Sequence, residues 1–176
     1  MDKRYEKKEK SIQDAFKTLL SDKYFETINV QELTRLARID RKTFYLHYKS
    51  MGNLLKAVQD ELSKEFSEKV ANLDPVDDLE EVTKAFFYFS ESKGKYYENI
   101  TRNSEYAYVR NQMIKKVVSI AIGEKIFLTT EKSFQIAFAV NTTLLFYSEW
   151  VKSGKTMELD DIISLTTKTI KYGISK

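Results

Sequence analysis

The chain has 176 residues, 42% of them hydrophobic and 31% charged, enough to build one fair-sized domain or two small ones around an apolar core. It has no cysteine and a single histidine, which excludes disulfides, thiolate metal sites, histidine-rich metal centres and a two-histidine relay. The net charge of +3 is unevenly spread: residues 1–51 carry 12 Lys/Arg against 8 Asp/Glu, and the remainder 17 against 18.

From the N-terminus, MDKRYEKKEK is charged and runs into an amphipathic pattern without a continuous apolar stretch, so no secretory signal is expected. No window spans a bilayer. The nearest candidate, residues 134–151, is interrupted by Gln135, Asn141, Thr142, Thr143, Ser148 and Glu149, and a cytoplasmic protein without a membrane partner is expected. Five glycines, one proline and apolar residues recurring at three and four positions predict an all-α fold of about nine helices.

The first helix carries Ile12, Ala15, Phe16, Leu19 and Leu20 on one stripe, with Phe25 and Ile28 folding back beneath it. Asn29 and Glu32 have the spacing of a reciprocal cap at the start of a second helix, in which Leu33, Leu36 and Ala37 are expected to face inward. A turn at 38–40 leads to a third helix capped by Asp40, with Phe44 and Tyr48 on its buried side. The 100° helical step then sets Lys42, Leu46 and Lys49 opposite, and Arg41, Thr43, Tyr45 and His47 on the flanks. Between Thr34 and Met51 the cations Arg35, Arg38, Arg41, Lys42 and Lys49 face only Asp40. Two short helices around a tight turn, with a basic outward face, read as a helix-turn-helix whose second helix enters the DNA major groove.

The segment NVQELTRLARIDRKTFYLHYKSMGNLL, and TFYLHYKSMGNLL within it above all, resembles the N-terminal DNA-binding domain of the TetR/AcrR family: threonine, apolar, tyrosine, any residue, histidine, aromatic, then serine and paired leucines. The likeness covers roughly the first third of the chain. It implies base-edge contacts from Arg41, Lys42 and Thr43, phosphate contacts from Tyr45, His47 and Lys49, and an approach to DNA by Gln31. Two positions depart from the family pattern. Arg38 stands where a glycine is usual in the turn, and Met51 where many members have a phosphate-contacting lysine.

A connecting helix is expected over 53–74, with Leu54, Leu55, Val58 and Leu62 continuing toward Phe66 and Val70. The only proline, Pro75, marks the candidate boundary, giving a DNA-binding domain at 1–52 and a helical effector-binding and dimerisation domain at 75–176. Beyond it, helices are predicted around Leu79–Phe89, Tyr96–Ile100, Tyr106–Ile122, Phe134–Val151 and Leu159–Ile170. The family resemblance implies that the last two form a dimer interface, with Phe146, Trp150, Ile162, Ile163 and Ile170 as candidates. The stretch YSEWVKSG followed by an acidic amphipathic helix is similar to the end of the subgroup that includes the dihydroxyacetone kinase activator DhaS. Among the many aromatics, Phe86, Phe89, Tyr97, Tyr106, Phe138 and Tyr147 are candidates for an apolar ligand pocket, although each also suits ordinary core packing.

These readings converge on a homodimeric, ligand-responsive transcriptional regulator, a repressor by the family's usual habit, on a palindromic double-stranded operator. The alternative is a DNA-binding co-activator whose C-terminal domain takes a protein partner in place of a small molecule. With no nucleophile elbow, phosphate-binding glycine loop or metal-ligand cluster in the sequence, neither an enzyme nor a cofactor is expected.

Overall fold

The structure, a computed structural model, describes residues 3–101 and 130–174. Those residues form eight α-helices and one 3-10 turn, with no strand among them. The predicted helix at 106–122 lies outside the described residues. The chain divides into two compact units, one from residues 1–61 and 93–103 and the other from 62–92 and 104–176.

In the first unit, α1 (Lys3–Asp22) buries Ile12, Ala15, Phe16, Leu19 and Leu20, the spacing that puts one stripe on one side of a helix. A 3-10 turn at Phe25–Thr27 sets the Phe25 ring edge-on to Phe16 at 6.2 Å. α2 (Val30–Ala37) starts where Asn29 accepts the Glu32 amide at 3.0 Å. The reciprocal half of the expected cap is replaced by an ion pair, because the Glu32 carboxylate lies 2.6 Å from Lys23 Nζ. Leu36 also departs from expectation and is 46% exposed. On a helix of two turns, the pair Leu33 and Ala37, four residues apart, defines the buried line and leaves Leu36 beside it.

α3 (Arg41–His47) and α4 (Met51–Lys69) follow, α4 opening where Ser50 Oγ accepts the Asn53 amide at 3.1 Å. The short α6 (Lys95–Thr101) packs on α1, and the buried Asn99 side-chain amide donates to the Leu20 carbonyl at 2.6 Å.

The second unit contains the end of α4, most of α5 (Leu79–Lys93), α7 (Thr130–Lys152) and α8 (Leu159–Tyr172). Its core is aromatic. Phe66 lies 5.6 and 5.5 Å from Phe86 and Phe89, and Tyr147 lies 5.7 and 5.6 Å from Phe86 and Phe87, edge-on for Phe66–Phe86 and both Tyr147 pairs, as ring quadrupoles prefer. Between α4 and α5, Asp74 accepts the amides of Val76 and Asp77 and pairs with Lys132 of α7 at 2.6 Å. α7 closes at Gly154, whose φ of 79° is a left-handed value that a residue without Cβ adopts freely.

Candidate nucleic-acid interface

The turn between α2 and α3 sets the angle at which α3 leaves the body. Arg38 takes it in the left-handed conformation, φ 54° and ψ 48°, and the Ile39 amide reaches back to the Thr34 carbonyl at 3.0 Å, closing the end of α2. The glycine-like geometry is therefore kept although a side chain is present, at a steric cost.

Asp40 then starts α3. Its carboxylate accepts the Thr43 amide at 2.7 Å and the Thr43 hydroxyl at 3.0 Å. Those two bonds hold its pKa below the ordinary aspartate range, so the cap stays ionised at the positive end of the helix. Thr43 is only 7% exposed. Its hydroxyl, expected at a base edge, is occupied in the cap, and the arrangement assigns it to fixing the helix start.

α3 ends one residue earlier than its apolar spacing implies, since Tyr48 is already extended at φ −136°. Tyr48 nevertheless stays buried. Its hydroxyl accepts from Gln13 at 3.0 Å and donates to Glu9 at 3.2 Å, and burial, with the Glu9 charge nearby, pushes its pKa up to about 12. His47 stacks on Tyr5 of α1 at 3.9 Å; its Nδ1 is buried without a hydrogen-bond partner, so any phosphate contact falls to Nε2. Desolvation lowers the imidazole pKa and so favours the neutral ring. α1 thus buttresses the C-terminal end of α3 through Tyr5, Glu9 and Gln13.

The outward side of the head carries Gln31, Arg41, Lys42, Tyr45, Leu46 and Lys49, all exposed. Gln31 and Arg41 are brought together, the guanidinium donating to Gln31 Oε1 at 3.4 Å. Lys49 lies past the helix end, in the link before α4, so its place comes from the link and not from the helical step. Leu46 is 68% exposed, an unusual position for a large aliphatic side chain in a charged surface. Arg4, Lys7 and Lys8 of α1 line a shallow groove with Arg38. The run of cations in MDKRYEKKEK, part of the N-terminal charge excess, is the sequence signal for this second cationic surface.

No protein-family model matches the chain, and no curated protein is matched by its sequence. Solved structures are matched over nearly the whole length. A FadR transcriptional regulator from Bacillus subtilis, crystallised with stearoyl-CoA, is 17% identical at a TM-score of 0.72, over 94% of this chain and 98% of that one. A TetR transcriptional regulator from Streptococcus agalactiae 2603V is 19% identical at 0.69, over 96% of each chain. The dihydroxyacetone kinase operon activator DhaS is 19% identical at 0.57, over 96% of this chain and 98% of that one. The chain has the TetR-type fold.

The TetR-type fold therefore extends through the second unit, where the sequence carried pattern but no motif. There the candidate pocket residues separate. Phe86, Phe89 and Tyr147 share the aromatic core, Tyr97 is buried in the first unit, Phe138 is exposed, and Tyr106 lies outside the described residues. Of the described candidates, only Phe86 lines the apolar cavity between α4, α5 and α7, whose walls include Phe66, Pro75, Leu79 and Leu144 and whose volume is only about 30 Å³.

The dimer candidates divide as well. Trp150, Ile162 and Ile163 are buried within the chain, Trp150 donating its indole N–H to the Met157 carbonyl at 2.9 Å, while Phe146 and Ile170 are half-buried. The exposed large apolar side chains of this region are Phe134, Phe138 and Leu145 on α7, Met157 in the following turn, Leu165 and Tyr172 on α8, and Ile174 after it. Among the described residues no group of acidic or histidine side chains is placed to hold a metal ion, and no helix is long and apolar enough to cross a membrane.

Proposed function

We propose that the chain is a sequence-specific DNA-binding transcriptional regulator, not an enzyme, acting in the cytoplasm as a homodimer on a palindromic operator. The observation that carries this reading is the presentation of α3. A seven-residue helix is fixed at its start by Asp40 and at its end by α1, and offers Arg41, Lys42, Tyr45 and Leu46 outward, the size and chemistry that a major groove admits. Arg41 and Lys42 are suited to guanine edges and Leu46 to a thymine methyl, while Tyr45, Lys49 and Nε2 of His47 address phosphates.

The exposed row Phe134, Phe138 and Leu145, spaced by four and seven, forms one stripe along α7, which supports burial against a second copy. A small-molecule effector taken up by the second unit is the signal we assign, and the stearoyl-CoA complex of the FadR structure supports ligand binding in this fold. Release of DNA on binding, hence repression, is the sign we assign.

Electrophoretic mobility shifts over a range of salt test the head. Replacing Lys42 or Leu46 with alanine should narrow the gap between operator and random DNA, whereas Lys49→Ala should weaken both and reduce the salt slope by about one per subunit. Equal loss on both DNAs for all three variants would remove α3 as the reading element.

A further inference from the structure

The N-terminal turns of α1 sort their charges by face. Arg4, Lys7, Lys8 and Ser11, spaced by three and four, share one side of the helix and line the shallow groove together with Ala37, Arg38 and Ile39. All four cations are exposed, and among the described residues no carboxylate joins the lining. Glu9, on another side of α1, accepts from the Tyr48 hydroxyl at 3.2 Å. Cations farther along have partners, Lys17 with Glu61 at 3.0 Å and Lys23 with Glu32 at 2.6 Å, whereas Lys7, Lys8 and Arg38 form no ion pair among the described residues. The Lys8 charge is also felt at both ends of α3. Behind the Thr43 hydrogen bonds it helps hold the Asp40 carboxyl low, and behind desolvation it helps lower the His47 imidazole. The groove thus lies against the helix that we read as the DNA-reading element.

We propose that this groove seats the DNA sugar-phosphate backbone beside the base pairs that α3 reads, with Lys7, Lys8 and Arg38 each facing a phosphate and Arg4 at the N-terminal end of the row. This deepens the regulator reading above and rests on it. Charge complementarity names the occupant: cations around a floor of Ala37 and Ile39 match phosphates joined by deoxyribose, and a shallow groove lined by exposed cations does not enclose a small anion. The spacing agrees. From Arg4 to Lys8 the helix rises about 6 Å, at about 1.5 Å per residue, which is about two steps of a strand with a phosphate every 3.4 Å or so. Such contacts add affinity and fix register without choosing a sequence. They also account for Arg38, because the side chain that strains the turn is the one that reaches the groove, and stability is exchanged for binding.

Fluorescence anisotropy of the full chain over a range of salt, on a labelled duplex of random sequence and on the operator recovered by selection, tests the groove. Lys7→Ala combined with Lys8→Ala should weaken binding to both duplexes alike and lower the slope of log affinity against log salt by about two per subunit. Lys7→Arg with Lys8→Arg should keep the slope. The control pair, Lys3→Ala with Lys10→Ala, removes the same charge from α1 outside the groove lining and should leave the slope nearly unchanged. Arg38→Gly should lower it by about one per subunit while raising the melting temperature of the DNA-free protein; a side chain that served only the turn would not move DNA binding. An unchanged slope in the Lys7 and Lys8 alanine variant, an equal fall in the control pair, or a loss on the operator alone would each overturn the proposal. So would loss of poly-L-glutamate binding with DNA binding intact, which assigns the groove to an acidic protein. Failure of the parent chain to bind any DNA would remove the regulator reading itself, whereas a selected palindrome with the parental slope in the alanine variant would remove the groove alone.

Discussion

Arg38 bears the backbone strain of the turn on which the head depends. Its φ of 54° costs a residue with a Cβ about 1 kcal/mol or more relative to glycine. Arg38→Gly should accordingly raise the midpoint stability by about 1 kcal/mol in chemical denaturation, and a loss of stability would show that the arginine side chain contributes more than the strain removes. That strain was signalled by the family resemblance, in which a glycine is usual where Arg38 stands. Thr43 shows the opposite case. Its spacing puts it on a flank of α3, but whether a flanking hydroxyl faces DNA or its own N-cap depends on the rotamer, and Asp40 three residues earlier captures it. Leu46 was placed outward by the helical step, and its 68% exposure makes it a candidate for a base contact.

At the scale of elements, apolar periodicity identified the long helices because a stripe sustained over three or more turns has no other explanation. It misplaced Leu36 on the two-turn α2 and overran α3 at Tyr48, where a tertiary hydroxyl network and not the helix keeps the ring buried. The packing of α6 on α1 depends on Asn99 reaching Leu20 across 79 residues, a contact that no local pattern announces. Equally silent was the latch between the Pro75 turn and α7. Burial pushes the Asp74 carboxyl pKa up, but hydrogen bonds from Lys132 and from the amides of Asp77 and Val76 outweigh this and leave it below its ordinary value of 3.8. Lys132 is held above 10.5, first by its bond to Asp74. Folding thus favours both charged forms. The stabilisation is present between those two ordinary values and is lost as pH falls through the lowered Asp74 value or rises through the raised Lys132 value. Asp74→Ala, which also frees two backbone amides, should cost about 1–2 kcal/mol at pH 7 and show a smaller acid-induced loss than the parent. Lys132→Met should cost less than about 1 kcal/mol, as a part-exposed ion pair does. Denaturation curves at pH 7 and below pH 3.8 check both.

For the whole molecule, the sequence motif covered the head and the structural match covers nearly the entire chain, so the reading head and the second unit belong to one known architecture. What joins them functionally is the proposed dimer, with α3 of each copy entering successive major grooves about 34 Å apart or a multiple of it. The exposed stripe of α7 is the surface that would set that spacing, and an effector bound to the second unit would change it. Selection of binding sites from random double-stranded DNA with the purified chain tests this most directly. The account predicts recovery of a two-fold symmetric sequence with a constant half-site spacing, whose half-site preference relaxes when Lys42 or Leu46 is replaced. Recovery of no common sequence, or of a single unsymmetric site bound by a monomer, would contradict it.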